Sequence, residues 1–148
     1  MNYTIKFISA KETHAVRHPI LRLGKPIETC VFNGDDLENT FHLGIFLDRK
    51  LVGVSSFLKN NHPNLPQENQ YQLRGMAILK DHQKKGLGKL ILNYGEHVLK
   101  KKNTQIIWCN AREIAVNFYK NNGYNTIGKP FNINNIGLHY IMLKDFSK

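Results

Sequence analysis

Cysteine is scarce in this 148-residue chain. Cys30 and Cys109 stand far apart with no partners at metal-ligand spacing, which argues against a disulfide framework and against a zinc site. Both are read as free thiols, Cys109 as a small buried group at the end of an apolar run. Long hydrophobic runs are missing as well. Nothing approaches the ~20 apolar residues that cross a bilayer, so a soluble protein with no membrane partner is expected. Met1-Asn2-Tyr3-Thr4-Ile5-Lys6 lacks a basic region followed by an apolar core, so no secretion signal is expected and the cytoplasm is the simplest location. Acidic residues are few, 11 against 21 Lys and Arg, and the resulting +10 calls for an anionic partner: nucleic acid, an anionic membrane or a phosphorylated cofactor. The lysines are scattered, and there is no helix-turn-helix, no RNP signature and no stripe of aromatics interleaved with Arg and Lys. Specific nucleic-acid binding is therefore not expected, and a basic nucleic-acid-binding module is the weaker alternative.

What is present is 41% apolar residues with period enough for one domain over 1–148. Tyr3 to Ile8 alternates as a strand. Ser9-Ala10-Lys11-Glu12 is a capping box that starts a helix, with Ala15, Val16, Ile20 and Leu21 toward the core and a kink or break at Pro19 near His18. Gly24 to Thr40 has no period and is read as a long connection. Phe41–Leu47 and Leu51–Leu58 around Asp48-Arg49-Lys50 form a hairpin. Lys59 to Asn69 is a loop. Leu73 to Leu79 suits a buried strand, after which Leu87, Leu90, Ile91, Tyr94 and Val98 recur at helical spacing up to Lys100-Lys101-Lys102-Asn103. Gln105 to Cys109 is a strand; Ala111, Ala115, Phe118 and Asn122 mark a helix closed by Gly123; Tyr124–Ile127 and Leu138–Leu143 are the last strands. This order predicts a mixed α/β (α+β) fold, a partly antiparallel central sheet of about seven strands with helices on both faces.

The joint between Leu79 and Leu87 carries the chemistry. Gly86 and Gly88 lie where a helix begins, so a ligand can approach the backbone, and the open N–H groups of the first turn form an anion site. Lys84, Lys85 and Lys89 add charge. A Walker A loop is excluded because Leu90 follows Gly88-Lys89, and a dinucleotide fingerprint because Ile91 stands where a third glycine is required.

Gln83-Lys84-Lys85-Gly86-Leu87-Gly88 after a strand resembles the Gln/Arg-x-x-Gly-x-Gly/Ala acyl-CoA pyrophosphate loop of the GNAT (GCN5-related N-acetyltransferase) family. Asn110-Ala111-Arg112-Glu113-Ile114-Ala115-Val116-Asn117-Phe118-Tyr119 followed by Gly123-Tyr124 resembles a later segment of the same family, in the same order and spacing. The resemblance implies a GNAT-like fold and an acetyl-CoA-dependent N-acetyltransferase that passes acetyl directly to an amine in a ternary complex. It further implies that the backbone of Met76, Ala77 and Ile78 runs beside the pantetheine arm, and that Gln83, Lys84, Lys85, Gly86, Leu87, Gly88 and Lys89 hold the diphosphate. Tyr119 is placed near the sulfur as the acid that protonates the leaving thiolate. Asn110 and Asn117 are candidate cofactor contacts, each with a plain capping role as the other reading.

No carboxylate stands on strand four to act as general base; Glu68 or His42 could serve through water. The His14/His18 pair lacks a third ligand, so no metal is expected. The acceptor amine should be selected by the Leu21–Thr40 region, the Lys59–Asn69 loop and the C-terminal loop. Asp35, Asp36 and Glu38 either favour a cationic amine or form a solvated turn. A GNAT-like acyl-CoA sensor without transfer is the second alternative, and the assembly is a monomer or a homodimer.

Overall fold

A computed structural model describes residues 2–134 and 136–147. Of the expected 1–148 unit, Met1, Asn135 and Lys148 lie outside the described residues. Among the described residues the elements are β1 (Tyr3–Ile8), α1 (His14–Leu21), β2 (Phe41–Leu47), β3 (Lys50–Lys59), β4 (Gln70–Ile78), α2 (Leu87–Lys100), β5 (Ile106–Arg112), α3 (Val116–Asn121), β6 (Asn125–Ile133) and β7 (Gly137–Asp145). The seven strands form one sheet in the order β1-β2-β3-β4-β5-β7-β6, with β4–β5 its parallel pair.

Alternation along β3 assigns the two faces. Val54, with Ala77 of β4, packs under Val16 of α1. Phe57, with Leu43 and Ile45 of β2, packs under Ile91, Leu92 and Leu99 of α2 in a cluster that also takes in Cys109 and Tyr119. One face therefore carries α1, and the other carries α2 and α3.

Two irregularities shape the middle of the sheet. Val54 pairs with Ala77 and Ser56 with Arg74, so Ser55 faces both Gly75 and Met76. This is a β-bulge, and Gly75 adopts φ +62°, a conformation that side chains resist. Just before it β4 leaves its parallel neighbour: Gln70, Tyr71 and Gln72 pair with Ile106, Ile107 and Trp108, and there the ladder stops. β4 runs on to Ile78, and β5 runs on to Arg112 against β7. The strands splay, and backbone groups of Leu73–Ile78 on the β5 side are left without a ladder partner.

Several expectations are corrected. Pro19 does not break its helix near His18; the helix continues to Leu21, and the Arg22 N–H closes it on the carbonyls of Arg17 and His18. Pro19 removes one hydrogen bond close to the end, at the exposed Ala15 turn, where the freed carbonyl costs little. Ala15 is exposed and Arg17 buried instead. The capping box forms as expected, with Ser9 N–H to Glu12 Oε1 at 2.9 Å and Glu12 N–H to Ser9 Oγ at 3.1 Å. Leu90 and Tyr94 do not face the core; they are 48% and 38% exposed, and the buried stripe of α2 runs through Leu87, Ile91, Leu92, Gly95 and Leu99. β5 extends through Asn110 to Arg112, so Asn110 lies in a strand and does not start a helix. β6 runs through Pro130, which an edge strand tolerates because its N–H side needs no ladder partner.

A buried ion pair ties α1 to the connection ahead of β2. Arg17 Nη1 donates to Asp35 Oδ2 at 2.7 Å and to the Cys30 carbonyl at 2.8 Å, while Nη2 donates to Asp35 Oδ1 and to Ser56 Oγ. Burial pushes the Asp35 carboxyl up, but the hydrogen bonds from Arg17 and the Phe32 N–H outweigh it and hold it below its ordinary value. Asp35 thus contributes stability at neutral pH that is lost as pH falls through that lowered value. Arg17→Met, which strands the carboxylate, is expected to cost about 3–5 kcal/mol in urea unfolding. A loss below about 1 kcal/mol would show that the pair does not hold this connection.

Candidate functional site

The splay between β4 and β5 opens beside the start of α2. Lys84 (φ +63°) and Gly86 (φ +78°) both adopt left-handed conformations, which coils the chain into a concave run of backbone amides. The first helical bond runs from the Leu90 N–H to the Gly86 carbonyl, so the amides of Leu87, Gly88 and Lys89 have no acceptor within the helix. A Cβ on Gly86 would meet nothing within 4 Å, so the space over it is open. A Cβ on Gly88 would sit 3.1 Å from the Phe118 ring, so this glycine lets α3 close on α2.

The sequence-predicted residues are distributed as follows. Lys84, Lys85 and Lys89 are exposed around the loop, whereas the Leu87 side chain is 2% exposed and only its backbone is available. Gln83 is exposed, but its Nε2 donates to the Ile78 carbonyl at 2.9 Å and ties the loop to the end of β4. Met76, Ala77 and Ile78 lie on the unpaired stretch of β4, with the Ala77 side chain packed toward α1. Asn117 is exposed on α3. Asn110 is exposed on β5, on the face opposite α3, because Cys109 and Ala111 point toward α2 and α3. The structure therefore does not bring Asn110 and Asn117 together.

Tyr119 is 7% exposed, its ring set edge-on between Phe118 (5.1 Å) and Tyr124 (5.6 Å). Its hydroxyl faces the Cys109 thiol. Cys109 is the first β5 residue past Trp108, the last to pair with β4, so this hydroxyl lies at the apex of the splay. Burial, reinforced by Cys109, pushes the Tyr119 hydroxyl well above its ordinary value. It keeps its proton at neutral pH and is a donor. Burial likewise pushes the Cys109 thiol up to about 12, so the cysteine is no nucleophile.

On the α1 face, sequence reasoning missed a cluster of arginines. Arg22 follows α1, Arg74 precedes the bulge and Arg112 ends β5. The guanidinium of Arg22 is pulled below its ordinary value by burial, then by Arg112 and Arg17; that of Arg74 by burial and by Arg17 and Arg22, against a partly compensating Asp35. No described carboxylate forms an ion pair with Arg22, Arg74 or Arg112. Asp35, the nearest acid, is committed to Arg17, so the expectation that it favours a cationic amine is not met.

His139 of β7 stands directly opposite Arg112 on this face and is 4% exposed. Its Nδ1 lies 2.8 Å from the Gly137 carbonyl, which only accepts. In the neutral ring Nδ1 therefore carries the hydrogen and Nε2 the lone pair. His42 is in the reverse position: Nε2 meets the Asp35 carbonyl at 3.0 Å and Nδ1 meets Ser56 Oγ at 2.6 Å, so both nitrogens are used and it is no free base. Glu68 is exposed on its loop. Among the described residues no three His, Cys, Asp or Glu side chains are placed to share a metal ion.

The model of the Acetyltransferase (GNAT) family matches residues 10–124. The chain belongs to the GNAT acetyltransferase family. Among curated proteins, the uncharacterized N-acetyltransferase YitI of Bacillus subtilis (strain 168) is 38% identical over 140 residues, covering 95% of this chain and 94% of that protein. A putative N-acetyltransferase from Lactobacillus plantarum shares the fold with a TM-score of 0.79 at 15% identity, covering 98% of this chain and 99% of that one. So does the PaiA N-acetyltransferase of Thermoplasma acidophilum, solved in complex with coenzyme A, with a TM-score of 0.72 at 17% identity, covering 99% of this chain and 100% of that one. The GNAT fold thus accounts for the seven-stranded sheet.

If the Gly86 loop receives the diphosphate of CoA, Gly86→Asp should lower CoA affinity by about 100-fold or more, since it adds a negative charge and a left-handed side chain at once. Gly86→Asn, neutral and more tolerant of that backbone, should fall between the two. Calorimetric titration checks both, and equal affinity of Gly86→Asp and wild type would remove the assignment.

Proposed function

We propose that this protein transfers acetyl from acetyl-CoA directly to the amine of a small anionic acceptor, in a ternary complex. The observation that carries the acceptor class is the placement of Arg22 and Arg74 on one ring, with Arg112 acting on Arg22, and no ion pair from a described carboxylate to any of the three. Like charges held together repel, and such a cluster is stable in use only with an anion between its members. A carboxylate or phosphate on the acceptor supplies it. The diphosphate side of the splay lies with α2, so cofactor and acceptor approach from opposite faces of the sheet.

In this reading the backbone of Met76, Ala77 and Ile78 offers its unpaired groups to the pantetheine arm, and a β4 amide stabilises the negative charge that grows on the thioester oxygen. Gly86, Leu87, Gly88 and Lys89 hold the diphosphate by their amides, with Lys84 and Lys85 adding charge and Gln83 fixing the loop. Exposed Asn117 and Asn110 are placed for further contacts, each on its own face. His139 accepts a proton from the acceptor ammonium at Nε2 and passes it to solvent. The neutral amine then forms the C–N bond, and the C–S bond breaks. Tyr119 gives its proton to the departing sulfur and regains one from the acylated nitrogen through water. Free buried thiols at Cys30 and Cys109 fit a reducing cytoplasm.

A screen of amines with acetyl-CoA, following thiol release, should find that acceptors bearing a carboxylate or phosphate have KM values roughly 10–100-fold below those of their neutral amides, as expected for charge-assisted hydrogen bonds. A preference for cationic amines would overturn the acceptor class, and CoA binding without any turnover would favour the sensor.

Tyr119→Phe keeps the ring and removes the hydroxyl, so folding and CoA affinity should change little. A thiolate of ordinary pKa ~8.5 is already a fair leaving group, which places the expected loss of kcat in the lower half of the usual ~10²–10⁴-fold range. Retention of full kcat and of the alkaline limb of the pH profile would make Tyr119 a packing residue only.

A further inference from the structure

Phe32 lies in the connection between α1 and β2 and is 8% exposed. Its ring is met by three guanidinium groups, with centroid distances of 4.0 Å to Arg17, 4.8 Å to Arg22 and 5.1 Å to Arg74. These arginines come from α1, from the segment that follows it and from β4. Asp35 bonds Arg17, and its Oδ2 also accepts the Phe32 N–H at 2.9 Å. One carboxylate thus fixes the backbone under the ring and neutralises one of the three charges. Arg22 and Arg74 stay stacked on the ring with none.

The ring is itself seated on the bulge: a Cβ on Gly75 would come within 3.1 Å of Phe32 and 3.1 Å of Arg17 Nε. Part of each free fork is already used. Arg74 Nη1 donates to the Asn33 carbonyl at 3.0 Å, next to Phe32, and Arg22 Nη1 to its neighbouring Leu21 carbonyl at 2.9 Å. Two long cationic chains placed near each other gain freedom and lose repulsion by swinging into water. The negative face of an aromatic ring opposes this, and guanidinium planes stack on it with N–H groups left over at their edges.

We infer that Phe32 is a positioning residue for acceptor recognition: its ring holds Arg22 and Arg74 together so that their remaining N–H groups meet one anionic group of the acceptor. This rests on the anionic-acceptor reading above. The ring meets the three guanidinium groups and the bulge beneath it, so the effect of its removal is expected first on acceptor binding.

The test compares wild type with Phe32→Leu and Phe32→Tyr, using an amine that carries a carboxylate or phosphate and its neutral amide. Phe32→Leu should raise KM for the anionic amine about tenfold, leave kcat and the acetyl-CoA KM within about twofold, and leave the neutral amide unaffected; Phe32→Tyr should restore the wild-type value. NMR gives an activity-independent signature. The side-chain Hε signals of Arg22 and Arg74 should be shifted upfield by the ring in wild type and Phe32→Tyr, and revert in Phe32→Leu. Should Phe32→Leu not fold, Phe32→Met is read in the same way. Unchanged KM and unchanged arginine signals in the non-aromatic variant overturn the inference. So does an equal loss for anionic and neutral amines that Phe32→Tyr fails to rescue, which marks a purely structural ring. A wild type with no preference for the anionic amine, its arginine signals still ring-shifted, overturns the acceptor reading and the recognition role with it.

Discussion

The parting of β4 from β5 is the constraint on which the other features depend. A parallel pair that ran its full length would satisfy its backbone groups and close the sheet. Here pairing ends at Gln72 and Trp108, and the bulge at Gly75 bends β4 away while its other edge stays joined to β3. The opening exposes a strand edge within the sheet and delivers the end of β4 into the Gly86 loop. It also leaves Cys109 at the apex, where the Tyr119 hydroxyl meets it. Phe32 and Arg17 lie over the bulge, each 3.1 Å from where a Cβ on Gly75 would stand.

Electrostatics divides the two sides of this opening. On the α2 face the positive charge consists of backbone amides and exposed lysines, which are hydrated and suit a mobile polyphosphate. On the α1 face it consists of half-buried arginines that repel one another and are oriented by an aromatic ring, by backbone carbonyls and by Asp35. The second arrangement costs more to build, and in the proposed reading it is the more selective, because planar forks fixed in place recognise a planar or tetrahedral anion by geometry as well as by charge. The formal +10 of the chain is therefore not one property; a minority of the basic residues is organised, and the others are spread over the surface.

How much of this was legible in the sequence follows from how local each feature is. The capping box at Ser9, the glycines at the head of α2, Asn103 with φ +59° and Gly123 with φ +92° each express a backbone need within a few residues, and each was readable. The stripe of α2 was half readable: Ile91 was placed correctly, but Leu90 and Tyr94 are apolar residues on an outer flank, where Tyr94 meets the exposed ring of Phe7. The proposed acceptor side was not readable, because Arg22, Arg74, Arg112 and His139 come from four separate segments and meet only through sheet order. Two signals did exist. Arg74 is the one charge in its strand and stands next to a glycine, and Arg112 ends a buried strand; both positions are costly for a cation without an ion-pair partner. The acidic run from Asp35 to Glu38 misled for the opposite reason, since its first carboxylate is taken by a residue 18 positions earlier.

The central claim is that the β4 edge freed by the splay is the surface along which acetyl-CoA lies. Amide hydrogen exchange read residue by residue, with and without saturating CoA, tests it most directly. The account predicts strong added protection at amides within Leu73–Ile78 and at Gly86 to Lys89, with β1 and β2 unchanged. Protection confined to other strands, or none on β4 at saturation, would contradict it.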